Sequence, residues 1–259
     1  VGGLDTPTGL AVVDETIWIM ERTRLVTAPV AVGATTVVRD DLPNNGRSNG
    51  SLTVTSDRRL IYDTCGRQEG TRAAGGPGVL WSLDPLDPEA EDQPLMTGMN
   101  HAYATAEDGR GGLLVTEIGD GTYDGERPPD EVVVIPQQRE REVPDGGWPR
   151  CIGDREPVAE NDGSAAWCER AMPSLALFDP GATPTGIAMA PWDGASAVLA
   201  LWQSGDLVEL PIERPAGGAP VASTPIATGL DGPQDVLADG ARLLLTVHGR
   251  GAVLVVTSG

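Results

Sequence analysis

Two histidines, His101 and His248, are the side chains here that titrate near neutrality, so each is a candidate acid, base or metal ligand. Carboxylates that can orient an imidazole come from Glu117, Glu21 and Asp235. Arg47 offers a fixed cation for an anionic or carbonyl group. Asn49, Asn100, Arg67, Gln203 and Gln234 add donors and acceptors for a small polar substrate. Two chemistries follow. In one, His101 or His248 moves a proton, a carboxylate such as Glu117 orients it, and Arg47 and Asn100 hold the substrate. In the other, two imidazoles and a carboxylate bind a divalent metal with one position open, although no HxxxH or HxH spacing marks such a site. The stretch 119–131 carries five carboxylates among Gly and Pro without the spacing of an EF-hand loop. Trp148 and Trp167 suit either stacking on a sugar or anchoring a loop.

The elements that must position these groups are marked by a recurring phrase. Thr6-Pro7-Thr8-Gly9-Leu10-Ala11 returns as Thr183-Pro184-Thr185-Gly186-Ile187-Ala188, and Gly3-Leu4-Asp5-Thr6-Pro7 as Gly229-Leu230-Asp231-Gly232-Pro233. Each copy precedes an alternating apolar run, a polar turn and a second run, the pattern of β-propeller blades. Helical periodicity is nearly absent, and 34 Gly with 22 Pro supply turns for many short strands. Strands are expected at 10–13, 16–20, 25–30 and 35–38; at 52–55, 60–63, 79–83 and 94–97; and at 102–106, 113–117, 131–135 and 175–178. A fourth unit takes 186–190, 197–202, 207–211 and 223–227, and a fifth has only 235–237, 243–248 and 253–257.

The expected architecture is therefore all-β: one propeller domain over 1–259, with five four-stranded blades closed by the N-terminal segment. The alternative is six blades, the sixth hidden in 136–174, a stretch that reads as a long loop insertion in the third blade. Inner-strand entries and the turns between second and third strands share one face of a propeller. Both histidines and the polar residues named above fall on that face.

A net charge of −20 and a pI near 4.3 argue against nucleic acid and anionic membrane surfaces as partners. No apolar run approaches the ~20 residues of a spanning helix. The expectation is a monomer whose partner is a small polar molecule. Cys151 and Cys168 bracket a Pro-, Gly- and Asp-rich loop where a disulfide would remove chain entropy, leaving Cys65 over. That pair points to a secreted or periplasmic protein, and a chain starting at Val1 reads as processed or trimmed.

Several motifs resemble the glucose/sorbosone dehydrogenase β-propellers. Gly98-Met99-Asn100-His101-Ala102-Tyr103 through Leu113-Leu114-Val115-Thr116-Glu117 is similar to that family's G-L-R-N-P-Y-G … L-W-V-T-E segment. Pro128-Pro129-Asp130-Glu131 and Gly147-Trp148-Pro149-Arg150-Cys151 resemble its P-P-D-E … G-W-P-x-C run, and Ala182-Thr183-Pro184-Thr185-Gly186-Ile187 its A-P-x-G-L strand entry. The resemblance implies a propeller that uses pyrroloquinoline quinone and calcium, with the turn Glu117-Ile118-Gly119-Asp120 matching the calcium-carbonyl loop. It thus makes Gly119 and Asp120 metal candidates. The family's catalytic residues are replaced. Arg47 stands where the catalytic histidine belongs, Asn100-His101 where an Arg-Asn pair grips the quinone, and Leu201-Trp202-Gln203-Ser204-Gly205 where H-G-S-W is found. Three functions follow in order: an acid/base enzyme of lyase, isomerase or hydrolase type; a quinone- and calcium-dependent sugar or alcohol oxidoreductase; a non-catalytic binding propeller.

Overall fold

The computed structural model describes residues 2–31, 33–46, 49–69, 72–137 and 142–257. Five antiparallel sheets follow one another along the chain, each from a short apolar alternating run. The first contains β1 (Gly9–Val13), β2 (Thr16–Met20), β3 (Leu25–Pro29) and β4 (Thr36–Arg39). Asp14, at φ 53°, makes the two-residue link between β1 and β2, a left-handed position that Asp tolerates.

The second sheet pairs β5 (Thr53–Val54), β6 (Leu60–Thr64), β9 (Gly78–Leu83) and β10 (Gln93–Met99), while β7 (Gln68–Glu69) and β8 (Arg72–Ala73) form a separate hairpin. The third is built of β11 (Ala102–Glu107), β12 (Leu113–Glu117), β13 (Asp130–Ile135) and β16 (Ser174–Phe178). Within the 136–174 insertion, β14 (Cys151–Ile152) pairs with β15 (Glu156–Pro157), and a one-turn helix α1 (Ala165–Cys168) follows. β17 (Pro184–Met189), β18 (Ser196–Leu201), β19 (Asp206–Pro211) and β20 (Thr224–Ala227) make the fourth sheet. The fifth has β21 (Pro233–Asp239), β22 (Arg242–Val247) and β23 (Ala252–Thr257).

Consecutive sheets bury their facing side chains. Ala11, Val13, Trp18 and Met20 meet Leu52, Leu60 and Tyr62; Ile61, Leu80 and Met96 meet Ala102, Leu113 and Val115. Further along, Leu114, Val132 and Leu175 meet Ile187, Leu199 and Leu210, and Val198, Ala200 and Leu207 meet Val236, Leu243 and Leu245. Among the described residues these four clusters join five blades, and no cluster joins the last blade to the first. Leu10 and Val12 of β1 are 66% and 52% exposed, and Leu237, Val253 and Val255 of the fifth blade 62%, 61% and 58%.

This corrects one expectation. The N-terminal segment does not complete the fifth sheet, because among the described residues β23 pairs only with β22. The backbone of that segment instead bonds to the first blade: Arg22 N–H donates to Asp5 O (3.2 Å), and Asp5 N–H donates to Glu21 Oε1 (2.7 Å).

The insertion, read as loop, carries that short hairpin and helix and is tied by the Cys151–Cys168 disulfide. Ser164 caps α1 by accepting the Trp167 N–H (3.3 Å). Trp148 packs with Tyr123 and Val158 beneath it. Its ring lies so close to Gly66 that a Cβ there would meet Trp148 Cζ3 at 2.4 Å.

Candidate functional site

Strand alternation puts Asp63, near the end of β6, and Cys65, just beyond it, on one side of the strand. Across from them, the short link between β10 and β11 carries Asn100 and His101, and β12 ends on Glu117 with Asp120 three residues later. All six side chains are buried. Hydrogen bonds lock the arrangement. His101 Nδ1 lies 3.4 Å from Asp120 Oδ2, which also accepts from Asn45 Nδ2 at 3.0 Å. Asn100 donates through its backbone N–H to Glu117 Oε1 (2.6 Å) and through Nδ2 to Asp120 O (2.7 Å). Gly50 N–H donates to Asp63 Oδ1 at 2.6 Å, and the Cys65 thiol reaches Asp63 Oδ2 at 3.7 Å. Gly50 must be a glycine, since a Cβ would stand 2.1 Å from Tyr103 O.

Burial governs the protonation of this centre, because a charged form loses its water. It pushes the Asp63 carboxyl up to about 7, against the pull of His101 and the Gly50 N–H. Glu117 is likewise raised by burial to about 7, with the Asn100 N–H and His101 opposing. Glu131 and Asp130 are also raised, chiefly by burial, and so is the Cys65 thiol. For His101, burial works against the proton, yet Cys65, Asp120 and Asp63 together hold its pKa well above the ordinary value.

Of the residues singled out from sequence, the fold brings His101, Asn100, Glu117, Asn49, Gly119 and Asp120 together. Asn49 is fully buried and accepts the Cys65 backbone N–H on Oδ1 (3.2 Å). Gly119 N–H donates to Asp130 Oδ1 (2.7 Å), so the turn with Asp120 is engaged with hydrogen-bond partners of its own. Gln234 approaches indirectly, donating to the Tyr103 hydroxyl (3.1 Å), whose ring meets His101 edge-on at 5.4 Å.

Others lie elsewhere. His248 sits on an exposed 3-10 turn of the fifth blade against Trp202, ring centres 5.2 Å apart. Arg67, Gln203 and Asp235 are exposed. Glu21 is buried at the end of β2, paired with Arg24 at 2.7 Å, where it holds the N-terminal segment. Arg47 lies outside the described residues. Sequence reasoning missed Asp63 and Cys65. Their signal was a D-x-C step at a strand end, with Cys65 the cysteine outside the Cys151–Cys168 disulfide.

A cleft of about 390 Å³ lies nearby, walled by Trp148 and Trp167 with Arg150, Glu160, Asn161 and Asp162. Trp148 Nε1–H donates to the Tyr123 hydroxyl (2.7 Å), which is 3.0 Å from Asp120 O, so the cleft wall and the buried centre share one hydrogen-bond path.

No protein-family model matches the chain, and no curated protein matches it. Solved structures do. The pyrroloquinoline-quinone-bound aldose sugar dehydrogenase of Streptomyces coelicolor aligns at TM-score 0.64 and 18% identity, over 98% of this chain and 94% of that one. The quinone domain of pyranose dehydrogenase from Coprinopsis cinerea aligns at TM-score 0.64 and 14% identity, over 100% and 94%. The calcium-binding protein regucalcin from Agrobacterium tumefaciens aligns at TM-score 0.59 and 13% identity, over 99% and 72%. The fold is thus that of the sugar-dehydrogenase-like propellers, as the motifs implied.

The centre itself does not suit their quinone. Asp63, Glu117, Asp120, Asp130 and Glu131 are all buried around the matching motifs, and a quinone bearing carboxylates would face carboxyl groups there.

Proposed function

We propose that the chain is an enzyme acting on a small polar molecule, running acid/base chemistry from the buried centre around His101. The observation that carries this reading is the shared environment of His101, Asp63 and Glu117. An imidazole with its Nδ1 beside a carboxylate lies among carboxyls raised to about 7, and groups poised near working pH transfer protons best. Asp120 orients the ring, Asn100 fixes Glu117, and exclusion of bulk water strengthens each charge interaction.

The tryptophan-walled cleft supports a polyhydroxylated substrate. Its volume suits a monosaccharide-sized ligand, half-buried Trp167 lies at its edge with Arg150 over its ring, and its acid and amide groups suit hydroxyls. The disulfide supports a secreted or periplasmic setting.

The test is deuterium incorporation from D2O into a panel of aldoses, ketoses and sugar lactones, followed by NMR. Exchange or lactone opening should occur without added quinone and vanish in His101→Gln. Dye reduction that depends on quinone and calcium, with no exchange, would replace this reading with the oxidoreductase. Calorimetric titration with pyrroloquinoline quinone should show no binding, with or without calcium.

A further inference from the structure

The centre holds three side chains of the kinds that bind a borderline-soft metal. One ligand atom each from Asp63, Cys65 and His101 lies within 4.8 Å of the other two, and all three residues are buried. A point between three such atoms is no farther than about 2.8 Å from each, so a contraction of at most about 0.5–0.8 Å reaches zinc–ligand lengths.

Hydrogen bonds hold each of the three residues in place. His101 Nδ1 is engaged by Asp120 at 3.4 Å, the carboxylate–histidine pairing that fixes a ligating ring. With its proton on Nδ1, the ring presents a lone pair at Nε2, and Nε2 is a buried nitrogen without a hydrogen-bond partner. Gly50 N–H takes Asp63 Oδ1 and leaves Oδ2 facing Cys65. Asn49 holds the Cys65 backbone.

The charges close as well. A thiolate and a carboxylate balance one divalent cation beside a neutral imidazole, so the ion and its three ligands together carry no net charge. A thiolate donor favours zinc over calcium or magnesium, which take oxygen ligands.

We propose that Asp63, Cys65 and His101 bind one Zn2+ with a fourth position open. The inference rests on the preceding reading only for what the metal would do: polarise a substrate oxygen or acidify a bound water, with Glu117 left as the proton acceptor.

The full chain, stripped with a chelator, is dialysed against zinc in the presence of excess calcium, and bound zinc is counted by atomic absorption. Cobalt(II) serves as the spectroscopic probe. The expected result is one zinc per chain and a thiolate-to-cobalt charge-transfer band in the wild type. Both should be lost in Cys65→Ser and His101→Gln and kept in His248→Ala. Asp120→Asn should bind about 10-fold more weakly.

Folded wild-type protein that retains no zinc and shows no band overturns the proposal. Equal zinc retention in the two ligand variants does the same. Zinc binding without deuterium exchange would sink only the enzymatic reading. Exchange at an unchanged rate in the metal-stripped protein would leave the zinc site standing and remove only the role given to the metal in that chemistry.

Discussion

The fourth and fifth blades each open on a proline, in Pro184-Thr185-Gly186-Ile187 and Pro233-Gln234-Asp235-Val236, and pair their first three strands alike. Yet every residue of β18 is buried, whereas β22 alternates and β23 leaves Val253 and Val255 largely in water. The difference is not composition, for Ala-Val-Leu-Val-Val-Thr of β23 is about as apolar as Ser-Ala-Val-Leu-Ala-Leu of β18. The repeat encodes a sheet; its neighbours decide how much of that sheet becomes core. Among the described residues the fourth blade has a neighbour on each face, and the fifth has one.

The largest effect expected from that contrast is a charge placed in β18. Val198→Asp should cost more than about 4 kcal/mol and abolish cooperative urea unfolding. The same aspartate at Val253 should shift the midpoint little; equal losses would show that the fifth blade is covered in solution. Next comes truncation: Leu210→Ala should cost about 3 kcal/mol, against under about 0.5 kcal/mol for Leu237→Ala.

A third test sets the apolar interfaces against the polar centre. The folded pKa of Glu117 is raised from 4.5 to about 7. Its contribution to stability is therefore complete below the unfolded value and is lost as pH rises through about 7. In chelator-treated protein the melting temperature should fall by several degrees between mildly acid and mildly alkaline buffer, and Glu117→Gln should flatten that slope. The smallest effect is reserved for the open face: Val253→Lys with Val255→Lys should change stability by no more than about 0.5 kcal/mol.

Strands were legible because alternation and turn residues are local. Thr16–Met20 and Leu113–Glu117 match their expected limits, and most others differ by one or two residues at an end. The N-terminal closure was not legible, since strand pairing between distant segments depends on register that no local pattern records. His101 was found from its type and from the motif around it. His248 looked equivalent by blade position, but a 3-10 turn and the Trp202 ring hold it at the surface. Asp63 escaped notice because Leu-Ile-Tyr-Asp-Thr reads as an ordinary strand. Its chemistry exists only through Gly50 and His101, 13 residues before it and 38 after. Conversely, Glu21 had the look of a site residue at a strand end, and Arg24 makes it a structural anchor.

The disulfide between Cys151 and Cys168 has a consequence for anyone handling the protein. A protease that cuts at Arg155, inside the span it closes, leaves two fragments still joined by that bond. Such a nick would be silent on a non-reducing gel and by gel filtration. It would surface only after a thiol is added, so integrity of this chain has to be judged under reducing conditions.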